Sequence, residues 1–453
     1  MRVYGVIGWK NSGKTSLMER LVAEITGRGF SVSTVKHVHH DVDLDQPGKD
    51  TWRHRAAGAS EVVLASAHRF AILHEHRGPE PELAEVLARM KPVDLVLVEG
   101  YKRDAHAKVE VWRRETGHAL IQSGDALVRA VASDEPLDLP VPVLDLNDTG
   151  AVADFILAEV GLLPQRFDTV VVVDWSAASA PSPAKPSADA VWIAVADAGG
   201  ERVEYFRTRA AAEAALRDLL AAERAAGRRV LVGFDFALGY PAGFAARLTG
   251  TADARAVRGW LAGRIEDGAD NRNNRFVVAD AINRGFGGAG PFWGRPAGVT
   301  LADLPATKAV DYAALGLTER RAVERVVSRA QPVWKLYTTG SVGSQVLTGL
   351  PMVHRLSQGA DVAVWPFDGG HRVALAQVVL AEIYPSLLSV AVTAEGGIKD
   401  AAQVRLLARA LGRLARSGRI GAMMQVPEGV PPEEGWILGA GHEAALRAAL
   451  GET

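Results

Sequence analysis

Cysteine is absent from this chain. That excludes disulfides, thiolate-bound zinc and thiolate-held iron–sulfur clusters. Long apolar runs are missing as well, so no helix of the roughly 18 or more apolar residues needed to cross a bilayer is expected. The first residues pass straight into a strand and a polar loop, so no secretion signal is expected, and a cytoplasmic protein fits the pattern. A basic excess is lacking too. Residues 1–165 carry 19 Lys and Arg against 24 Asp and Glu, which leaves 32 of the 51 basic and 29 of the 53 acidic residues for 166–453. Neither part has the surplus of cations on which phosphate neutralisation by a nucleic-acid-binding domain rests, although a local basic groove stays open.

At 453 residues the chain exceeds the size at which one hydrophobic core stops growing, so two domains are expected. A hydrophobic content of 48% and a charged content of 23% describe an ordinary soluble globular protein. The most informative stretch is Gly8-Trp9-Lys10-Asn11-Ser12-Gly13-Lys14-Thr15, a loop of the form G-x-x-x-x-G-K-[ST] set between an apolar strand at 3–7 and a helix at 14–25. Its glycines let successive backbone N–H groups turn inward around a phosphate, and the helix aims its positive dipole end at the same anion. Lys14 supplies a point charge for the outer phosphates and Thr15 an oxygen for Mg²⁺, with Gly8, Asn11, Ser12, Gly13 and Ser16 completing the cradle. With 46 glycines a chance match is conceivable, but the strand-loop-helix context argues against it.

The first 165 residues alternate strand and helix signals. Strands are expected at 31–36, 61–65, 70–73, 93–99, 127–132 and 143–145, and helical stretches at 51–57, 81–89 and 149–160. Such alternation predicts a doubly wound parallel α/β sheet of the P-loop kind. The helix stops at Gly161-Leu162-Leu163-Pro164-Gln165 and an apolar strand, 169–173, begins anew, so the domains are taken as 1–163 and 168–453. Residues 178–190, rich in Pro, Ser and Ala, read as a hairpin tip or an exposed excursion.

Glu99 ends the apolar strand, where a carboxylate opposite the loop holds Mg²⁺ through water or orients the attacking water; the alternative is a solvated strand-end acid. Between loop and strand lies Lys36-His37-Val38-His39-His40-Asp41-Val42-Asp43-Leu44-Asp45, with Gly48-Lys49-Asp50 and Arg53-His54-Arg55 after it. Three histidines among aspartates would suit a transition metal, yet their spacing matches no fixed zinc pattern. The favoured reading is a loop closing over the outer phosphate, with Asp45 or Asp50 near Mg²⁺ and Arg53 or Arg55 near substrate.

These segments together carry a resemblance. The loop at 8–15, Val35-Lys36-His37 with His39-His40, Asp45-x-Pro47-Gly48-Lys49-Asp50 followed by His54-Arg55-x-Ala57-Gly58-Ala59, and Val98-Glu99-Gly100-Tyr101-Lys102 closely resemble the molybdopterin-guanine dinucleotide biosynthesis protein B (MobB) family. The likeness covers about the first third of the chain. It implies GTP binding that includes Lys36 and His37, weak Mg²⁺-dependent GTPase activity, a homodimer, and partnership with the guanylyltransferase MobA in attaching GMP to molybdopterin. The N-K-x-D guanine signature is absent, and Asp134, after the strand 127–132, is the candidate acceptor for the guanine N1 and N2 hydrogens. Nothing in 166–453 matches a MobA-like opening.

In the second domain Val173-Asp174-Trp175-Ser176 and Gly233-Phe234-Asp235-Phe236 each end an apolar strand in an acid. Glu382, in Glu382-Ile383-Tyr384-Pro385, and Asp400, heading a helix at 400–414, follow. Carboxylates converging at strand ends are what a two-metal phosphoryl-transfer site needs. Their order resembles the ribonuclease-H-like superfamily, which implies a mixed-sheet α/β domain; the alternative is four structural acids, with Asp400 favoured only by its helix dipole. Asn271-Arg272-Asn273-Asn274-Arg275-Phe276, Asn283-Arg284, Phe292-Trp293, Trp334 and 339–345 would either bind a pterin or nucleotide ligand or simply pack the core. Three functions follow: a GTP-binding accessory protein of molybdenum cofactor maturation, a metal-dependent nuclease or phosphohydrolase regulated by a nucleotide domain, and a carrier of a non-catalytic docking module.

Overall fold

The computed structural model describes residues 1–451 except 39–42, 44, 77, 79, 164 and 289. They divide into two compact units, Met1–Leu162 and Leu163–Thr453.

The first unit is built on strands β1 (Arg2–Ile7), β2 (Val32–Lys36), β3 (Glu61–Ala65), β4 (Phe70–His74), β5 (Leu95–Glu99), β6 (Lys108–Trp112), β7 (Val128–Ser133) and β8 (Val143–Asp145). Six of them form one parallel sheet in the order β2-β5-β1-β6-β7-β8, and β3 pairs antiparallel with β4 in a separate hairpin. The all-parallel order is that of a P-loop α/β fold, as expected. Parallel strands covered on both faces bury both sets of side chains, which is why Leu95, Val96, Leu97 and Val98 run as a continuous apolar block. The helix Lys14–Gly27 starts directly after the loop and buries Leu17, Met18, Leu21 and Ile25 along one stripe. Asp148 caps the helix Thr149–Glu159 by accepting from the Ala151 N–H.

Strand β6 was not among the expected elements, although it lies beside β1. Two charged residues disguise it, and both are fully buried with partners. The Lys108 ammonium donates to the carbonyls of Lys102 and Asp104 at 2.9 Å and pairs with Asp125 at 3.1 Å. Glu110 accepts the backbone N–H groups of Ile121 and Gln122, each at 2.9 Å.

The second unit holds a six-stranded mixed sheet made from β9 (Thr169–Asp174), β10 (Val191–Asp197), β11 (Gly200–Phe206), β12 (Val230–Phe234), β13 (Val362–Val364) and β14 (Val378–Glu382). Its order is β11-β10-β9-β12-β14-β13; β9, β10 and β11 run antiparallel in sequence, and β12, β14 and β13 are parallel to β9. The Pro- and Ser-rich 175–190 segment joins β9 to β10. Alternation along the strands feeds two cores. Val171, Val173, Val230, Val232 and Phe234 pack on one face with Leu216 and Leu220 of the helix Arg209–Ala225. Val170, Val172, Leu231 and Ala381 pack on the other with Leu407 and Leu411 of the helix Lys399–Arg416.

Candidate functional site

The phosphate loop follows the C-terminal end of β1. Gly8 has φ +150°, and a Cβ there would lie 2.4 Å from the Val111 carbonyl oxygen, so no side chain fits. Gly13, at φ +93°, is the N-cap of the helix Lys14–Gly27 and takes a left-handed conformation that glycine adopts without strain. Asn11, also at positive φ, and the buried Ser12 lie between them, and Ser16 is exposed on the first helical turn.

The functional side chains converge from three strand ends. Glu99 closes β5 and accepts from the Thr15 hydroxyl at 3.3 Å, and the Lys36 ammonium at the end of β2 lies 3.5 Å from the same oxygen. That meeting follows from the register, since Lys36 and Val6 both stand level with Glu99. Lys14 folds back over the loop to donate to the Trp9 carbonyl at 2.5 Å. Burial lowers its pKa below the usual lysine range; Lys102 and Lys36 push the same way, against Glu99. A cluster of cations facing a cradle of backbone N–H groups is an anion site.

Beside it lies a cavity of about 1080 Å³ whose lining includes Trp9, His37, Glu80, Tyr101, Lys102 and Lys108. The His37 ring stacks on Tyr101 with centroids 4.4 Å apart, and its Nε2 meets Glu80 at 2.5 Å. Lys102 sits 4.2 Å from the centroid of the Trp9 ring. Asp134 follows β7 and lines a second cavity of about 520 Å³ with Glu135, Asp145 and Asn147.

The acids of the intervening loop take other partners. Asp45 accepts from the Thr51 hydroxyl at 2.8 Å and stands 3.4 Å from Arg55, which also pairs with Asp43 and Glu75 at 2.6 Å. Asp50 lies in the first turn of the short helix Asp50–Ala56, exposed. His39, His40 and Asp41 fall outside the described residues.

In the second unit Asp174 ends β9 and Asp235 directly follows β12; the two share a hydrogen bond, and Asp235 also accepts the Trp175 N–H at 2.8 Å. Asp400, in the first turn of the helix Lys399–Arg416, accepts the Asp189 N–H at 2.8 Å. Burial raises the Asp174 pKa well above the carboxylate range, with Asp235, Asp400 and Asp189 adding repulsion. Burial also pushes Asp235 up to about 6, against the hydrogen bonds it makes with Asp174 and Trp175.

Glu382 does not join this group. It stands level with Phe234 and Val173, one residue before the Asp235 and Asp174 positions, so strand alternation sends its side chain to the opposite face. There both its oxygens accept from the buried Arg321, at 2.6 and 2.7 Å. Among the described residues no three His, Asp or Glu side chains are grouped closely enough to hold a metal ion. The polar and aromatic segments are largely structural: Asn283 binds Phe292 and Asp303, Arg284 pairs with Asp280 and Asp303, and Trp334 is fully buried among Tyr240, Phe244 and Phe292.

No helix among the described residues is long and apolar enough to cross a membrane. Residues 3–134 match the family described as "MobB: Molybdopterin guanine dinucleotide synthesis protein B". Over 153 residues the chain is 40% identical to the "Molybdopterin-guanine dinucleotide biosynthesis adapter protein" of Escherichia coli (strain K12), covering 33% of this chain and 87% of that one. A protein of the same description from Haemophilus influenzae is 41% identical over 155 residues, covering 34% and 85%. Among solved structures, the "X-ray crystal structure of MobB protein homolog from Bacillus stearothermophilus" is similar at 33% identity, spanning 35% of this chain and 98% of that chain with a TM-score of 0.26.

Proposed function

The chain belongs, through its first unit, to the molybdopterin guanine dinucleotide synthesis protein B family, and from that premise we propose that it is a GTP-binding adapter in the synthesis of molybdopterin guanine dinucleotide. The observation that carries this reading is the loop at 8–15 with Lys14, Lys36 and Lys102 gathered around it and Glu99 set against Thr15. The backbone and Lys14 hold the phosphates. Asp134, in the cavity beyond β7, accepts the guanine hydrogens.

Thr15 and Glu99, now hydrogen-bonded to each other at 3.3 Å, are the oxygen donors that would hold magnesium. Asp45, tied to Arg55 and Thr51, fits it less well. The ion neutralises charge on the outer phosphates when bound. Glu99 would orient water for slow hydrolysis, and the cavity beside the loop, where Trp9, Tyr101 and Lys102 offer ring faces and a cation, suits a molybdopterin-type ligand presented to a MobA-like guanylyltransferase. A homodimer is part of the same proposal.

The test is ligand-dependent stability. At about 100 times Kd, GTP with Mg²⁺ stabilises the protein by about 2.7 kcal/mol. Lys14→Ala is expected to abolish that gain, and equal stabilisation by ATP counts against guanine selection.

A second reading concerns the other unit. A first-strand acid and a fourth-strand acid, Asp174 and Asp235, share a hydrogen bond and feel the charge of a helix acid, Asp400; that order supports a ribonuclease-H-like domain with hydrolysis of a phosphate ester, in which a bound metal would have to draw the three acids closer than they stand. Hydrolysis of nucleic acid by the full chain with Mg²⁺ or Mn²⁺, lost in Asp174→Asn, is the expected result. Its absence with both metals leaves the unit as a docking module.

A further inference from the structure

The end of β6 points to one more member of the phosphate site. β6 pairs with β1 so that Ile7, the residue before the loop, stands level with Glu110. The chain leaving β6 therefore runs alongside the loop itself. Arg113 is the first residue past that strand, and its guanidinium lies against Gly13: a Cβ placed on Gly13 would be 3.3 Å from its Nε and 3.5 Å from its Nη2. The Nε is buried with no hydrogen-bond partner among the described residues. The carboxylate of the exposed Glu115 is 3.6 Å from Nη1, longer than a hydrogen-bonded ion pair.

A guanidinium one-third exposed, loosely paired with Glu115 and with an idle Nε donor among the described residues, is set on a glycine-lined phosphate cradle with capacity to bind an anion. The neighbouring side chains are arranged to keep it there. Trp9 of the loop donates to the Ala119 carbonyl at 2.8 Å, which ties the 113–119 turn to the loop, and Trp112 at the end of β6 donates to the His118 carbonyl at 2.9 Å, which closes the turn on its own strand. The Thr116 hydroxyl donates to the Arg113 carbonyl at 2.8 Å, which fixes the arginine's own backbone.

We propose that Arg113 contacts the outer phosphates of the bound nucleotide and is the group by which this site tells a triphosphate from a diphosphate. The proposal rests on the nucleotide reading of the loop. Lysines hold phosphates as point charges, whereas a guanidinium offers parallel donors to two oxygens of one phosphate, so a charge-preserving replacement will not substitute fully.

The experiment is calorimetric titration of the full chain with GTP and with GDP, each with Mg²⁺, for wild type, Arg113→Ala and Arg113→Lys. Arg113→Ala is expected to weaken GTP about tenfold or more while GDP stays within about threefold, with Arg113→Lys between. A purely structural arginine would weaken both nucleotides alike and lower the melting temperature. Such parallel loss, or unchanged GTP affinity, overturns the assignment. If wild-type chain takes up neither nucleotide, the nucleotide reading itself falls.

Discussion

At the scale of single residues, the clearest distinction is between acids that are held and acids that are crowded. Glu382 and Glu324 share one cation, Arg321, which donates to both and to the Glu434 carbonyl, all of them buried. Removing one partner of a buried ionic network leaves uncompensated charge, at a cost of about 3–5 kcal/mol. Arg321→Met is therefore expected to lower the unfolding free energy by that amount in a urea titration, and a change under about 1 kcal/mol would refute the account. Asp174 and Asp235 are the opposite case, two buried carboxyl groups hydrogen-bonded to each other, with burial and mutual repulsion raising the Asp174 pKa so that the pair holds a proton. Stability does not require that arrangement, so function is the better explanation for it.

Among the elements, what could be read from the sequence depended on whether polarity and burial agreed. The strand-loop-helix at 3–25 was legible because its apolar strand, glycine loop and striped helix each obey local rules. β9 and β12 were legible for the same reason, as apolar runs closed by an acid. β6 was not, because Lys108 and Glu110 are buried through bonds to distant backbone that no local pattern records, and Arg113 was missed with it. Glu382 was misplaced for a related reason: its strand-end position was evident, but the face it takes depends on pairing register. A glycine shows the same conflict as an energy. Gly349 lies inside the helix Gly343–Leu356, where alanine would gain about 1 kcal/mol of helix propensity. A Cβ there, however, would fall 2.3 to 2.6 Å from the buried ring of Phe236. Overpacking costs about 1–3 kcal/mol, so Gly349→Ala is expected to destabilise on balance, read as a lower denaturation midpoint at unchanged m-value. A stabilised variant would show that the ring moves freely.

For the whole molecule, the two units differ in how much their sequences disclose, and that difference is testable as thermodynamics. Residues 1–162 carry apolar packing of their own, including a cluster of Val35, Leu83, Val96 and Val98, and the two large clusters of 163–453 draw only on residues of that unit. Units with separate cores fold and melt on their own accounts. Scanning calorimetry of the full chain is accordingly expected to resolve two transitions. GTP with Mg²⁺ should raise only one of them, because a ligand stabilises the unit it binds in proportion to the logarithm of its concentration over Kd. Arg321→Met should lower only the other, since its partners among the described residues, Glu324, Glu382 and Glu434, lie within 163–453. The two perturbations thus assign the transitions independently. One common transition that moves with both would mean that the two units unfold cooperatively, so that nucleotide binding in the first stabilises the second, and the regulated-hydrolase reading would then gain over the adapter with a passive appendage.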